Sequence, residues 1–205
     1  MYLAHVSRYD IFYSVNQIPR AMSNPSKVHM GAAEHLLRYL AGSIDFNVTY
    51  KKGGFKLTAF SDANWGNNPN NGKSTSSYVM IMCNGPVSFK VGMQGLTAQS
   101  KMEVELVAAA LAMKKAVYCA GMMGELGFEE MFKCVPIHIG NTSAPHVAGS
   151  KSYSSCAKHV ALRLFYVLEM RQKGTISIHY IPTKFNIADI GTKFRSSAVT
   201  GTSSG

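Results

Sequence analysis

At 205 residues and 46% hydrophobic content, the chain carries enough apolar surface for one good-sized domain, or one domain with an appendage. Lys and Arg total 21 against 11 Asp and Glu, a formal charge of +10 that favours polyanionic partners. Cys83, Cys119, Cys134 and Cys156 are too widely spaced for a CxxC zinc site or a secreted disulfide framework, and read as reduced thiols in an intracellular protein. The N-terminus lacks the apolar run of a signal peptide, and no segment reads as membrane-spanning.

Residues 1–54 read as largely helical. In Met22-Ser23-Asn24-Pro25, Asn24 suits a helix cap and Pro25 a first helical position. Met30, Ala33, Leu36, Leu37 and Leu40 then recur at helical spacing until Gly42. Val48-Thr49-Tyr50 reads as a short strand. Lys51-Lys52-Gly53-Gly54 marks the boundary between residues 1–54 and a domain over residues 55–195.

Beyond it the rhythm changes. Strands are predicted over Lys56–Ala63, Ser76–Cys83 and Pro86–Val91, the last two joined by an Asn84-Gly85 turn. Ser100 caps a long helix, Met102–Leu126, with Leu106, Ala109, Ala110, Met113 and Val117 on one face. A fourth strand over Val135–Ile139 precedes a short helix, Asn141–Ala148, and a longer one, Val160–Gln172. A fifth strand, Ile176–Ile181, and a last short helix, Ile187–Thr192, end in a small, polar, disordered tail over residues 196–205. Three antiparallel strands followed by alternating helices and strands make a mixed α/β layer fold.

Asp62 is the residue that asks for chemistry. It lies in the apolar strand Leu57–Ala63, where a carboxylate is costly unless something pairs with it, and a metal ion is the usual partner. Glu105 at the start of the long helix and Asp189 near the C-terminus are the further acids that strand and helix ends can bring to one edge of a sheet. A third acid is expected at Gly140 and is absent. Clustered carboxylates holding two Mg²⁺ ions would serve phosphodiester hydrolysis, and magnesium needs few side-chain ligands. Each acid also has a plainer role, as a strand-end acid for Asp62, a first-turn helix acid for Glu105 and a helix cap for Asp189. Trp65, Met80, Met82, Met122 and Met123 read as core, and His159 and His179 as surface or packing residues.

The motifs resemble the C-terminal part of a copia-type LTR-retrotransposon polyprotein, the end of the reverse transcriptase followed by its ribonuclease H domain. Arg8-Tyr9-Asp10-Ile11, Val15-Asn16, Met22-Ser23-Asn24-Pro25 and Leu37-Arg38-Tyr39-Leu40-Ala41-Gly42 are similar to the connection between polymerase and nuclease. Ser61-Asp62-Ala63-Asn64-Trp65, Lys73-Ser74-Thr75-Ser76-Ser77-Tyr78, Pro182-Thr183-Lys184 and Asn186-Ile187-Ala188-Asp189 with Thr192-Lys193 are similar to the nuclease motifs. The resemblance implies a ribonuclease H-like five-stranded mixed sheet behind a short helical connection segment. It also implies cleavage of the RNA strand of RNA–DNA hybrids, and a place within a longer polyprotein, cytoplasmic in a virus-like particle or nuclear. The start at Met1 inside such a segment reads as a truncated frame.

By position in the motifs, Asp62, Glu105 and Asp189 correspond to the catalytic, metal-holding acids, while Glu103 belongs to a capping box with Ser100. Gly140-Asn141 stands where the family has Asp-Asn, so the two-metal Mg²⁺ site is expected to be incomplete and the nuclease impaired. A nucleic-acid-binding domain without catalysis, or a relic of a transposon, is the alternative.

Overall fold

The computed structural model describes residues 2–68, 71–140 and 158–193. Five strands form one sheet: β1 (Thr58–Asn64), β2 (Thr75–Met82), β3 (Gly85–Met93), β4 (Val135–Ile139) and β5 (Ile176–Tyr180). Their order is β3-β2-β1-β4-β5. β1 and β3 run antiparallel to β2, whereas β4 lies parallel to β1 and β5 parallel to β4. The expected mixed sheet is present, with strand ends shifted by one or two residues.

The first face is covered by α4 (Lys101–Glu125), which begins at the Ser100 cap, whose hydroxyl accepts from the Glu103 N–H at 3.2 Å. Glu103 reaches back to the Gln99 N–H at 2.8 Å, so the first turn is closed from both sides. Its Leu106, Ala109, Ala110 and Met113 pack on Ala59, Met80 and Ile137, and a second helix (Lys158–Gln172) adds Leu164 and Val167. By length and composition alone α4 is apolar enough to cross a membrane, which corrects the sequence reading that no segment is. Its buried run Val104–Ala110 is instead the roof of the core.

The N-terminal helices α1 (Tyr2–Val6), α2 (Phe12–Gln17) and α3 (Lys27–Ala41) pack on the opposite face, over β3. Ala4, Ile11 and Phe12 meet Val91 there, with Phe89, Leu36, Tyr39 and Leu40 around them. Arg8 fastens this layer, bonding Asp10, the Ser43 carbonyl at 3.0 Å and the Ser43 hydroxyl at 2.7 Å. The fifth helix in chain order is therefore α5 (Lys158–Gln172).

Four expectations are corrected. The cap of α3 is Ser26, not Asn24, and Pro25 precedes the helix; the Ser26 N–H donates to His29 Nδ1 at 3.1 Å. Val48-Thr49-Tyr50 forms no strand, because its neighbours reach the hairpin only through Lys51 N–H to Cys83 O and Cys83 N–H to Gly54 O. The β2–β3 turn is Cys83-Asn84, both at positive φ (54° and 61°), so Gly85 opens β3. Gly85 is needed for another reason: a Cβ there would lie 2.5 Å from the Tyr50 ring. Trp65 and Met122 are not core residues, at 52% and 44% exposure. The expected helix Asn141–Ala148 and the tail over residues 196–205 lie outside the described residues.

Candidate active site

Asp62 is the fifth residue of β1 and its side chain shares a face with the paired Ser77, away from α4. Against that face lies a 3-10 helix, Ile187–Gly191, which carries Asp189. The helix is fixed to β1 by three side chains. Asn186 Nδ2 donates to the Ser61 carbonyl at 2.9 Å while its Oδ1 caps the Ala188 N–H at 3.1 Å. Asn64 Nδ2 donates to the Thr192 carbonyl at 3.0 Å. The Thr192 hydroxyl donates to Asp62 Oδ2. Gly191 allows the close approach, since a Cβ there would lie 2.3 Å from Ser77 Oγ. The N-terminal layer also takes part, through Tyr9 Oη donating to the Ile187 carbonyl at 2.6 Å.

Asp62, Glu105 and Asp189 are all buried, at 5%, 3% and 5% exposure, a cost that demands compensation. Burial pushes Asp62 above the usual carboxylate range, the Thr192 bond and Lys193 pull it back, and the Asp189 charge adds to the rise. Burial and then the Asp62 charge push Glu105 up to about 8, against Lys101 and Lys193. Asp189 pairs with Lys193, one turn on. Glu105 Oε2 is buried with no hydrogen-bond partner. Gly140 closes the group: a Cβ on it would lie 3.6 Å from Asp62 Oδ1 and 3.6 Å from Asn186 Nδ2.

The three predicted acids and Gly140 thus surround one region at the end of the sheet, with Asp62 at the centre. The carboxylates meet in pairs, and among the described residues no three His, Cys, Asp or Glu side chains stand close enough to hold one ion together. Asn186, Thr192 and Lys193 were visible only as motif residues without a role. Their partners lie more than a hundred residues away for Asn186 and Thr192, which no local pattern discloses.

The order β3-β2-β1-β4-β5, with β1–β3 antiparallel and β1, β4 and β5 parallel, defines a ribonuclease H-like α/β domain. No family model matches the chain. It is 30% identical over 193 residues to the retrovirus-related Pol polyprotein from transposon RE2 of Arabidopsis thaliana, covering 94% of this chain and 13% of that protein. Over 94% of its length the chain is similar to retrovirus-related Pol polyproteins of copia-type transposons, and it spans only 13–14% of the length of these relatives. It also matches secreted RxLR effector protein 161 of Plasmopara viticola, 32% identical over 119 residues, across 58% of this chain and 84% of that protein. Among solved structures, LC11-RNase H1 isolated from compost aligns over 67% of this chain and 92% of its own, with 15% identity and a TM-score of 0.48.

Proposed function

We propose that the chain is the nuclease portion of such a polyprotein, residues 55–195, preceded by connection segment 1–54, and that it hydrolyses the RNA strand of RNA–DNA hybrids weakly. The observation that carries this reading is the Glu105 carboxylate. It is buried beside Asp62 and lacks a partner for Oε2, and burial, followed by the Asp62 charge, pushes its pKa up to about 8. A hard divalent cation is the group such an oxygen set fits, and Mg²⁺ is the one we propose.

Asp62 with Glu105, and Asp62 with Asp189, would hold such ions in pairs. When bound, divalent ions in such a cluster supply the charge that activates a water and stabilises the leaving oxygen of a phosphodiester. The chain's own residues do the rest. Thr192 orients Asp62 by its hydrogen bond, and Lys193 holds Asp189 in place. Glu105 holds a proton at neutral pH when the cleft lacks added positive charge. Gly140 supplies no oxygen where a fourth ligand is needed, so the reacting groups are poorly placed and the rate falls.

A second reading has its own observation. Gly140 removes a ligand without touching the +10 charge, so a domain that holds nucleic acid without cutting it fits equally well. The test is Mg²⁺-dependent cleavage of a labelled RNA–DNA hybrid by the chain and by Gly140→Asp. Cleavage that appears or rises strongly in the variant supports the impaired nuclease. A variant as inert as the parent, with hybrid still bound, supports the binding domain.

A further inference from the structure

Asp62 leaves β1 on the face away from α4, whereas Glu105 is carried by α4 itself. The two carboxylates meet only if α4 starts at the right height along the strands. The packing beneath its first turns is small and smooth: Val104 and Ala108 lie with Ala63 and Ala98, and Leu96 beside them. Such contact is non-directional, so it sets the spacing between helix and sheet but resists sliding only weakly.

Gln94 supplies the missing direction. It follows β3 directly and is buried, at 5% exposure. Its backbone N–H donates to the Ser74 carbonyl at 2.7 Å, which fixes it to the residue before β2. Its side-chain Nε2 donates to Ser76 Oγ at 2.7 Å and to the Val104 carbonyl at 3.0 Å. A carbonyl can only accept, so the amide nitrogen and not the oxygen must face Val104. That carbonyl belongs to the peptide group whose nitrogen is Glu105's own. Ser76 is the chain neighbour of Ser77, the residue paired with Asp62. One amide therefore ties the peptide bearing Glu105 to the strand beside Asp62.

Packing alone would not ask for an amide here. Gln94 Oε1 is buried with no partner, a cost that a methionine of similar size would avoid. What the amide adds is a length and an angle, because hydrogen bonds weaken steeply when donor and acceptor are displaced. We propose that Gln94 is a positioning residue that sets the distance between Glu105 and Asp62, and through it the affinity of that pair for a divalent cation. This role rests on the cation reading above, and the experiment separates the two.

Gln94→Met keeps the length of the side chain and loses both donors. Crystal structures of the full chain in chelator, parent against variant, should show the Glu105 carboxylate moved relative to Asp62 by about 1 Å, the scale on which positioning matters. Calorimetric titration with Mg²⁺ alone should give an affinity about tenfold below the parent's, the usual loss when a group that orients a ligand is removed. Ile176→Ala, a core truncation at the far end of the sheet, should melt lower and bind Mg²⁺ as the parent does. Ser76→Ala removes one of the two acceptors and should displace Glu105 less, and it carries the test if Gln94→Met does not fold. A Glu105 carboxylate that keeps its parent position in the folded variants overturns the role and leaves the cation reading standing. Displacement with unchanged Mg²⁺ affinity overturns it as well, since the distance then does not govern the cation. A parent that binds no Mg²⁺ overturns the cation reading and with it the effect on affinity, while displacement in the variants still supports Gln94 as the residue that places Glu105.

Discussion

Gly140 stands directly against Asp62, with a Cβ built on the glycine lying 3.6 Å from Asp62 Oδ1. That is ordinary van der Waals contact, and the glycine needs no positive φ. An aspartate therefore fits the backbone at this position without strain, and its carboxylate enters the group formed by Asp62, Glu105 and Asp189.

Gly140→Asp should raise Mg²⁺-dependent hybrid cleavage by about 100-fold or more, the scale on which misplaced reacting groups lose rate. The same variant adds a negative charge beside Asp62 and Glu105. In chelator it should be destabilised by about 1–3 kcal/mol, and Mg²⁺ should return most of that. Thermal melts with and without Mg²⁺ check the second part. A variant that melts like the parent in both conditions would show that residue 140 does not face the acids.

Glu105 gives a pH signature of the empty cluster. Its folded-state pKa, about 8, lies above its ordinary value of 4.5, so the folded state binds a proton that the unfolded chain has lost between these values. Its contribution is fully present below about pH 4.5 and is lost as pH rises towards 8, a cost of a few kcal/mol by linkage. Glu105→Gln removes the titration. In chelator, its stability relative to the parent should therefore rise from pH 5 to pH 8. Equal slopes in urea titrations across that range would refute the assignment.

How much of this was legible in the sequence depends on the range of the interactions involved. The apolar spacing of Leu106, Ala109, Ala110 and Met113 and the Ser100 cap act within a few turns, and α4 begins within a residue of the expected start. The strand runs of β1, β2 and β3, bounded by turn residues, were similarly readable, to within two residues at their ends. Errors arose where one contact overrode a local preference. Asn84-Gly85 looks like a hairpin turn, but Gly85 answers to the Tyr50 ring, and the turn moves back by one residue. Asn24 is a good cap, yet Ser26 takes the position, with His29 closing the first turn. Thr192 and Arg20 are illegible for a different reason: their partners, Asp62 and Thr75, lie 130 and 55 residues away, and only the sheet brings them together.

The Arg8–Asp10 pair should govern stability in acid. Burial pushes Asp10 up, but hydrogen bonds from Arg8 and from Tyr39, at 2.8 Å, outweigh it and leave the carboxyl below its usual value of 3.8. A depressed pKa stabilises the fold above the unfolded value and is lost as pH falls through the folded one. Asp10→Asn should cost about 1–2 kcal/mol at pH 7, discounted because the pair is partly exposed, and close to nothing near pH 2. Urea unfolding at the two pH values reads this directly. A penalty that persists unchanged at pH 2 would mean that the carboxylate charge contributes nothing.

Gly191→Ala tests how the site is assembled. The new methyl would lie 2.3 Å from Ser77 Oγ and 2.5 Å from Val91 Cγ2, closer than real side-chain contacts allow. Either β2 and β3 give way, or the 3-10 helix lifts off the sheet. Overpacking of this kind costs about 1–3 kcal/mol. Lifting the helix also separates Thr192 from Asp62 and Asn186 from the Ser61 carbonyl, so Asp189 leaves its place beside the sheet. The variant should therefore lose stabilisation by Mg²⁺ as well as intrinsic stability, whereas a core truncation such as Ile137→Ala, beneath α4, should lower the melting temperature and keep the Mg²⁺ increment. Melting each protein with and without Mg²⁺ separates the two effects. A full Mg²⁺ increment in Gly191→Ala would show that the helix carrying Asp189 does not build the cation site.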